Sequence, residues 1–394
     1  MNDRPNREEG ATVMKRRLMQ ALGTAAAGIT LAATAVGSTA AAAPVRHSFV
    51  TAPFDGRLYG VAATSPRDAW AVGLNGTQSL IAHWNGTNWT RKLSSRGFLR
   101  GAAATSRRSA WAVGGTDWFS PQTLVEHWDG HAWTQVPSPS PTPGGYLNGV
   151  ATASPGNAWA VGLIGDGPGA GTGPADRTLI EHWDGHAWTQ VPSPAPQPAG
   201  GLNGVAVTSP TDAWAVGWTG TGSDSGGTSG ALIEHWDGHA WARVPSPGHA
   251  PGTRTVLNAV AAASPLNAWA VGSTGAGDTN RAFIVHWDGT AWQRVDAPTP
   301  VPGVSLLGVA ATSPHNAWAV GQTAFKGACG PTCATVIEHW DGSAWTLVPS
   351  PNPPSVLVNV LLGVAVTSPR NAWAVGTNDY QSTLIVRWNG QAWK

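Results

Sequence analysis

The chain has 394 residues, only 11% of them Asp, Glu, Lys or Arg, and a formal net charge of +1. Ordinary globular domains carry about a quarter charged residues. With no basic stripe or cationic amphipathic helix, nucleic-acid binding and membrane-surface binding are excluded as expectations.

The first 43 residues read as an export signal. Lys15, Arg16 and Arg17 form a basic stretch, Leu18 to Val36 an apolar one, and Ser38 to Ala43 a run of small residues suited to cleavage between Ala41 and Pro44. Met14, directly before the basic cluster, is an alternative start. The apolar stretch carries Gln20, Thr24, Thr30 and Thr34 and is too weak for a stable membrane span. Without residues 1–43 the chain keeps 18 basic and 19 acidic residues (23 − 5 and 22 − 3), a net charge near −1. The expectation is a secreted, monomeric protein whose residues 44–394 form a single domain.

That domain is built on a repeat. A tryptophan opens W-A-V-G seven times (Trp70, Trp111, Trp159, Trp214, Trp269, Trp318, Trp373). Each is followed by W-D/N-G-x-x-W, as in Trp84 and Trp89 or Trp128 and Trp133, so the repeat holds 21 of the 23 tryptophans. Glycine (50) and proline (31) would fit disorder, but so many tryptophans require a packed core. A period of 41 to 55 residues falls in the range of propellers and arrays.

Each repeat reads as four short strands. In the third they are 147–154, 158–162, 178–183 and 187–192, with Asp184-Gly185 between the last two as a two-residue hairpin turn. The first strand consists of small residues (Gly149 to Thr152), which suits the crowded axis. The fourth carries V-P-S-P, and proline belongs on an edge. The predicted fold class is therefore all-β, a seven-bladed β-propeller of four-stranded antiparallel blades. The last repeat stops at Trp393-Lys394, so the N-terminal segment Phe49 to Pro53 is expected to supply the missing outer strand and close the ring.

Spacing separates the two faces of the disc. From the strand-one Gly (Ala259 in the fifth repeat) to the W-A-V-G tryptophan is always 10 residues, and from the second to the third tryptophan always 5. The first-to-second distance varies from 14 to 24, and the third-to-next-first from 22 to 28. One face is constant and the other variable, and repeat proteins commonly bind through the variable one.

The repeat resembles secreted bacterial propellers built on W-A-V-G and H-W-D/N-G-x-x-W, and more distantly kelch and WD-repeat propellers. It lacks the paired glycines and regular tyrosine of kelch, except at Gly114-Gly115, so no family active site carries over. Fold alone does not imply function.

Six histidines precede the second tryptophan (His83, His127, His182, His235, His286, His339), with Arg387 in the seventh repeat. One per blade spreads them around the ring, whereas a metal needs three or four together. They are read as structural, and no metal or cofactor is expected. Glu126, Glu181, Glu234 and Glu338 are read as solvated edge residues or blade-to-blade partners. Cys329 and Cys333, in C-G-P-T-C, are expected to pair in a local disulfide.

The candidate binding residues are the non-repeated ones on the variable face: Asp117, Trp118, Asp176, Arg177, Trp218, Asp278, Arg281 and Tyr380. Trp118 and Trp218 are the only tryptophans outside the repeat. An exposed aromatic beside polar groups suits sugar stacking or a protein hot spot. The functional expectation is a non-enzymatic protein that binds a glycan or an extracellular protein through that face. The alternatives are a carbohydrate-active hydrolase or lyase, with Asp166, Asp176, Asp224 and Asp278 meeting at the channel mouth, and a structural surface or matrix protein.

Overall fold

The computed structural model describes residues 54–394, apart from 142–143, 166–175, 195–198, 221–228, 248–252, 276–278, 299–302, 324–332, 353–357 and 380. The export signal and the segment 49–53 therefore lie outside the described residues, as do Cys329, Asp166, Asp224, Asp278 and Tyr380. Cys333 is buried.

The described strands form seven antiparallel sheets in chain order, six of four strands and a seventh of three. Blade three is representative: Gly145–Ser154, Asn157–Ile164, Arg177–Trp183 and Trp188–Gln190. Strand one of each blade packs against strand one of the next, and that of blade seven (Asn359–Ser368) against that of blade one (Arg57–Ser65), which closes the ring. Among the described residues no helix is long and apolar enough to cross a membrane.

Proline sets the length of the outer strand. In blade three that strand ends at Gln190, directly before Val191-Pro192. Blade one has K-L-S-S where blades two, three, four and six have V-P, and its outer strand runs eight residues, Trp89–Arg96; blade five, with Val295-Asp296, runs four, Trp292–Val295. Removing the ladder-breaking proline lengthens the edge.

The 3–4 hairpin is closed by a longer turn than the expected two-residue one. Trp183 pairs with Trp188, so Asp184 to Ala187 form a four-residue loop. The Asp184 carboxylate accepts the backbone N–H groups of His186 (2.8 Å) and Ala187 (2.9 Å), and Gly185 has φ 97. The side chain thus replaces the backbone bond of a tighter turn. The glycine of W-A-V-G has a different cause: a Cβ on Gly162 would lie 1.9 Å from the Tyr146 carbonyl oxygen of strand one.

The tryptophans join blade to blade. Each first tryptophan is buried and meets the second and third tryptophans of the next blade. Trp111 lies 5.0 Å from Trp183 and 5.2 Å, edge to face, from Trp188. Trp373 makes the same contacts with Trp84 (5.1 Å) and Trp89 (5.2 Å) and so joins blade seven to blade one. The second tryptophans donate their indole N–H to the strand 1–2 turn of their own blade, as Trp183 does to the Pro155 carbonyl at 3.1 Å. The first and third have no such acceptor among the described residues. Their edge-to-face geometry leaves a neighbouring π face as the available partner.

Both ends of the described segment meet the outer edge of blade seven. Trp393 bridges Trp388, and Lys394 exchanges two backbone bonds with Arg387. At the other end of the same strand, Asp55 bridges Ser382, Thr383 N–H donates to Phe54 O (3.0 Å), and Gly56 N–H donates to Gln381 O (2.7 Å). This last bond repeats Gly97 N–H to Thr77 O (3.0 Å) in blade one, so Phe54 to Gly56 stand where an outer strand leads into the next blade.

Replacing one first tryptophan removes an aromatic core residue together with two edge or tilted ring contacts. Trp111→Ala is expected to lower the unfolding free energy by about 3–5 kcal/mol, read from urea denaturation at equilibrium. Deleting residues 44–54 removes the bonds through Phe54 and should cost roughly 1–3 kcal/mol, measured in the same way; an unchanged midpoint would show that the arm does not hold the ring.

Candidate functional site

The repeated polar residues are structural. His182 lies 4.2 Å from the Trp159 ring and bonds the Asn157 amide (3.0 Å). His83 bonds Asp68 (2.9 Å) and His235 bonds Asp212 (2.8 Å) in the same way. In blade seven Arg387 takes the histidine's place, with its guanidinium 5.0 Å from the Trp373 ring and its Nε bonded to Asn371 at 3.0 Å. Burial lowers the His127, His182, His286 and His339 imidazoles from their ordinary value. Among the described residues no group of three or more ligand-type side chains could hold a metal.

The four glutamates are buried, which removes the solvated-edge alternative. Two visibly tie one blade to the next. Glu126 of blade two accepts hydroxyl bonds from Ser94 (2.8 Å) and Ser95 (2.7 Å) of blade one, and Glu234 of blade four accepts Ser193 (2.9 Å) of blade three. Neither oxygen of Glu181 has a partner among the described residues. Burial pushes its carboxyl up to about 8; for Glu234, where the Ser193 bond opposes burial, the value is about 7.

The candidate binding residues do not gather in one place. Trp218, expected to be exposed, is 7% exposed. It lies in strand two of blade four (Asp212–Gly220), paired with Gly201 and Ala231 and packed with Ala199 and Val256. The strand simply continues past W-A-V-G and carries Trp218 into the blade interface. Arg177 and Arg281 are exposed and open strand three of blades three and five. Asp117 shapes its own loop, accepting the N–H groups of Phe119 (2.9 Å) and Ser120 (2.7 Å). Asp176 is buried.

Trp118 belongs to a different arrangement, assembled from blades one to three. It stacks on Phe98 with ring centroids 4.5 Å apart, and Phe98 meets Tyr146 at 6.0 Å. Arg100 is held among these rings, its guanidinium carbon 5.2 Å from Tyr146, 5.5 Å from Phe98, 5.7 Å from Trp118 and 5.9 Å from Tyr59. Its Nη1 donates to Asn148 Oδ1 (3.0 Å), while its buried Nε has no partner among the described residues. Burial raises the Tyr146 phenol above its ordinary range, with the Arg100 charge opposing the shift and the Asp176 charge adding to it.

Arg100 occupies a repeated position. In every blade, strand one has a bulge between a fully buried leucine and the following Gly or Ala, so one residue escapes pairing: Tyr59, Arg100, Asn148, Asn203, Asn258, Leu307 and Leu362. All seven are half-buried on the innermost strands, near the variable face, and so girdle the channel mouth. Asn148, Asn203 and Asn258 each donate through Nδ2 to the leucine carbonyl of the next blade, at 2.9, 2.9 and 2.8 Å. The sequence carried a signal for this girdle: it is a varying position enclosed between a repeated leucine and a repeated Gly or Ala.

No family model and no curated protein matches the sequence. Solved propellers do. YCF48 bound to D1 peptide is 14% identical, with a TM-score of 0.52, covering 84% of this chain and 91% of that one. A polysaccharide lyase described as an ulvan lyase is 9% identical, with a TM-score of 0.52, over 88% and 93%. The WD40 repeats of RRP9 are 8% identical, with a TM-score of 0.53, over 84% and 94%. At such identities the likeness shows the propeller fold and no more.

Glu181 gives the ring a pH dependence whose sign follows from burial. The unfolded carboxyl ionises near its model value of 4.5 and the folded one near 8, so the unfolded state loses its proton first and stability falls as pH rises between them. Glu181→Gln is expected to remove about 2–4 kcal/mol of that decline. Denaturation at pH 5 and pH 9 checks it: wild type loses stability over the interval and the variant loses less.

Proposed function

We propose that this chain is an exported, non-enzymatic binding propeller that recognises a glycan or a protein partner through its variable face. The observation that carries this reading is the Arg100 cluster. Blades one to three place a guanidinium, four aromatic rings and an asparagine at one corner of the channel mouth, where no repeat requires them. Structural packing explains the repeated tryptophans and histidines but not this departure from the repeat. Aromatic faces beside fixed polar groups are the usual composition of a recognition site. Beside it, Phe119 is 72% exposed, the most exposed of the large apolar side chains among the described residues. Of the four aspartates on which the catalytic alternative rests, Asp176 is buried and Asp166, Asp224 and Asp278 lie outside the described residues.

A binding screen of the purified protein against soluble glycans, insoluble polysaccharides and peptides tests the proposal, with every hit repeated on Trp118→Ala. Binding is expected to weaken about tenfold, the worth of a partly desolvated aromatic contact. Trp218→Ala serves as the contrast: its ring is buried, so it should lower stability and leave affinity unchanged. Hits indifferent to Trp118→Ala would move binding away from this face. Cleavage of a polysaccharide in the same screen would replace the binding reading with an enzymatic one.

A further inference from the structure

The binding reading leaves the ligand's chemistry open, and the girdle narrows it. Resting on that reading, we propose that the Arg100 corner of the channel mouth receives the C-terminal carboxylate of a peptide whose last residue is aliphatic.

The cation comes first. Arg100 makes no ion pair among the described residues; the pairs present there involve His83, Arg107 and His235. Only Nη1 is engaged, by a neutral amide oxygen, and the buried Nε has no partner. The enclosed Nε lies out of a ligand's reach, but the terminal nitrogens of a planar guanidinium present paired donors that match a carboxylate. The four rings around it fix the side chain and reduce its hydration, so a carboxylate arriving there meets a pre-positioned, partly desolvated cation.

The rest of the girdle supplies the complement to a chain terminus. With Nδ2 of Asn203 and Asn258 tied to the next blade, each Oδ1 is aimed and free to accept, since neither has another partner among the described residues. An amide oxygen in that position suits the N–H of the last peptide bond. On the other side of Arg100, through Tyr59, the girdle becomes apolar at Leu362 and Leu307, both half-buried. That arc suits an aliphatic side chain.

A single cation also discriminates between carboxylate sources. A polyuronate carries a charge on every acidic sugar and would be matched by a row of cations, whereas the other six girdle positions are Tyr, Asn and Leu. A lone terminal uronate could reach Arg100, but Leu307 and Leu362 offer nothing to its hydroxyl groups.

The test compares synthetic peptides ending in Leu, Val or Ile with a free carboxylate against the same peptides amidated at the C terminus. Binding to the full protein is followed by fluorescence polarisation. The free acids are expected to bind about tenfold or more tightly than the amides, the scale of one charge-assisted contact. Arg100→Met should bring the acids down to the level of the amides and leave the amides unmoved, and Arg100→Lys should restore part of the difference. The wild-type comparison of acid with amide needs no variant, so a misfolded Arg100→Met cannot obscure it. Equal binding of acid and amide overturns the proposal. So does Arg100-dependent binding of uronate-terminated oligosaccharides with none of the peptides. A partner that depends on Trp118 but not on Arg100 removes this inference and leaves the binding reading standing; no binding by any glycan or peptide removes both.

Discussion

The structure depends on one contact made seven times, an indole of one blade packed edge to face against an indole of the next. Distances between the first and third tryptophans stay between 5.1 and 5.2 Å around the whole ring. A sheet in isolation would expose both faces, and the contact buries each against its neighbour without needing helices. Because the last blade must meet the first, a change at any joint is felt by the ring as a whole. That requirement fixes the spacings of the constant face. The five-residue step from second to third tryptophan sets the turn that presents both rings to the preceding blade. The loops of the opposite face touch no such joint and are free to vary in length.

Electrostatics follow the same blade-to-blade logic with less regularity. Serines on one rim meet a glutamate of the next blade at two joints, Ser94 and Ser95 with Glu126 and Ser193 with Glu234. At the equivalent joint between blades four and five the glutamate is replaced by Val285, and the Ser246 hydroxyl is buried without a partner among the described residues. Glu181 is a buried carboxyl with no donor among the described residues, the equivalent serine, Ser138, being engaged with Thr123 at 2.8 Å instead. The repeat thus tolerates half-matched polar pairs because the indole contacts dominate the joint. The carboxyl answers its missing donor by holding its proton, which is cheaper than burying an unpaired charge.

The architecture was legible because repetition multiplies weak local signals. No single W-A-V-G identifies a propeller, but seven at a bounded period do, and strand order followed from glycine at the axis and proline at the rim. Exposure of individual side chains was less legible. Trp118 and Trp218 looked equivalent, each lying shortly after W-A-V-G. One proved to be the continuation of a strand and the other a loop residue lying on Phe98, and the difference rests on where pairing with strand three resumes. The glutamates could not be placed on sequence grounds either, because an edge residue and an interface residue share the same alternation. The turn after the second tryptophan was recognisable from its Asp-Gly, although the carboxylate's own bonds to the backbone made it longer than that pair implies.

What sequence reasoning passed over is the bulge in strand one, and its physics explains why this is where specificity can reside. Every other residue of the innermost strand is constrained by pairing, by the close approach of the next backbone or by burial. A Cβ at Gly60 would lie 2.6 Å from the Arg100 carbonyl oxygen, so a methyl group is excluded beside that bulge, whereas blade five accommodates Ala259 at the equivalent position. The bulged residue escapes the ladder, so its side chain can change without disturbing the pairing of the strand. The chain holds Tyr, Arg, three Asn and two Leu at these seven places, while the leucine before each is retained throughout. A fixed leucine beside a variable position is what a scaffold carrying a site requires. In this ring the only charged occupant of that position is also the one enclosed by non-repeated aromatic rings, so chemical singularity and positional freedom coincide at Arg100.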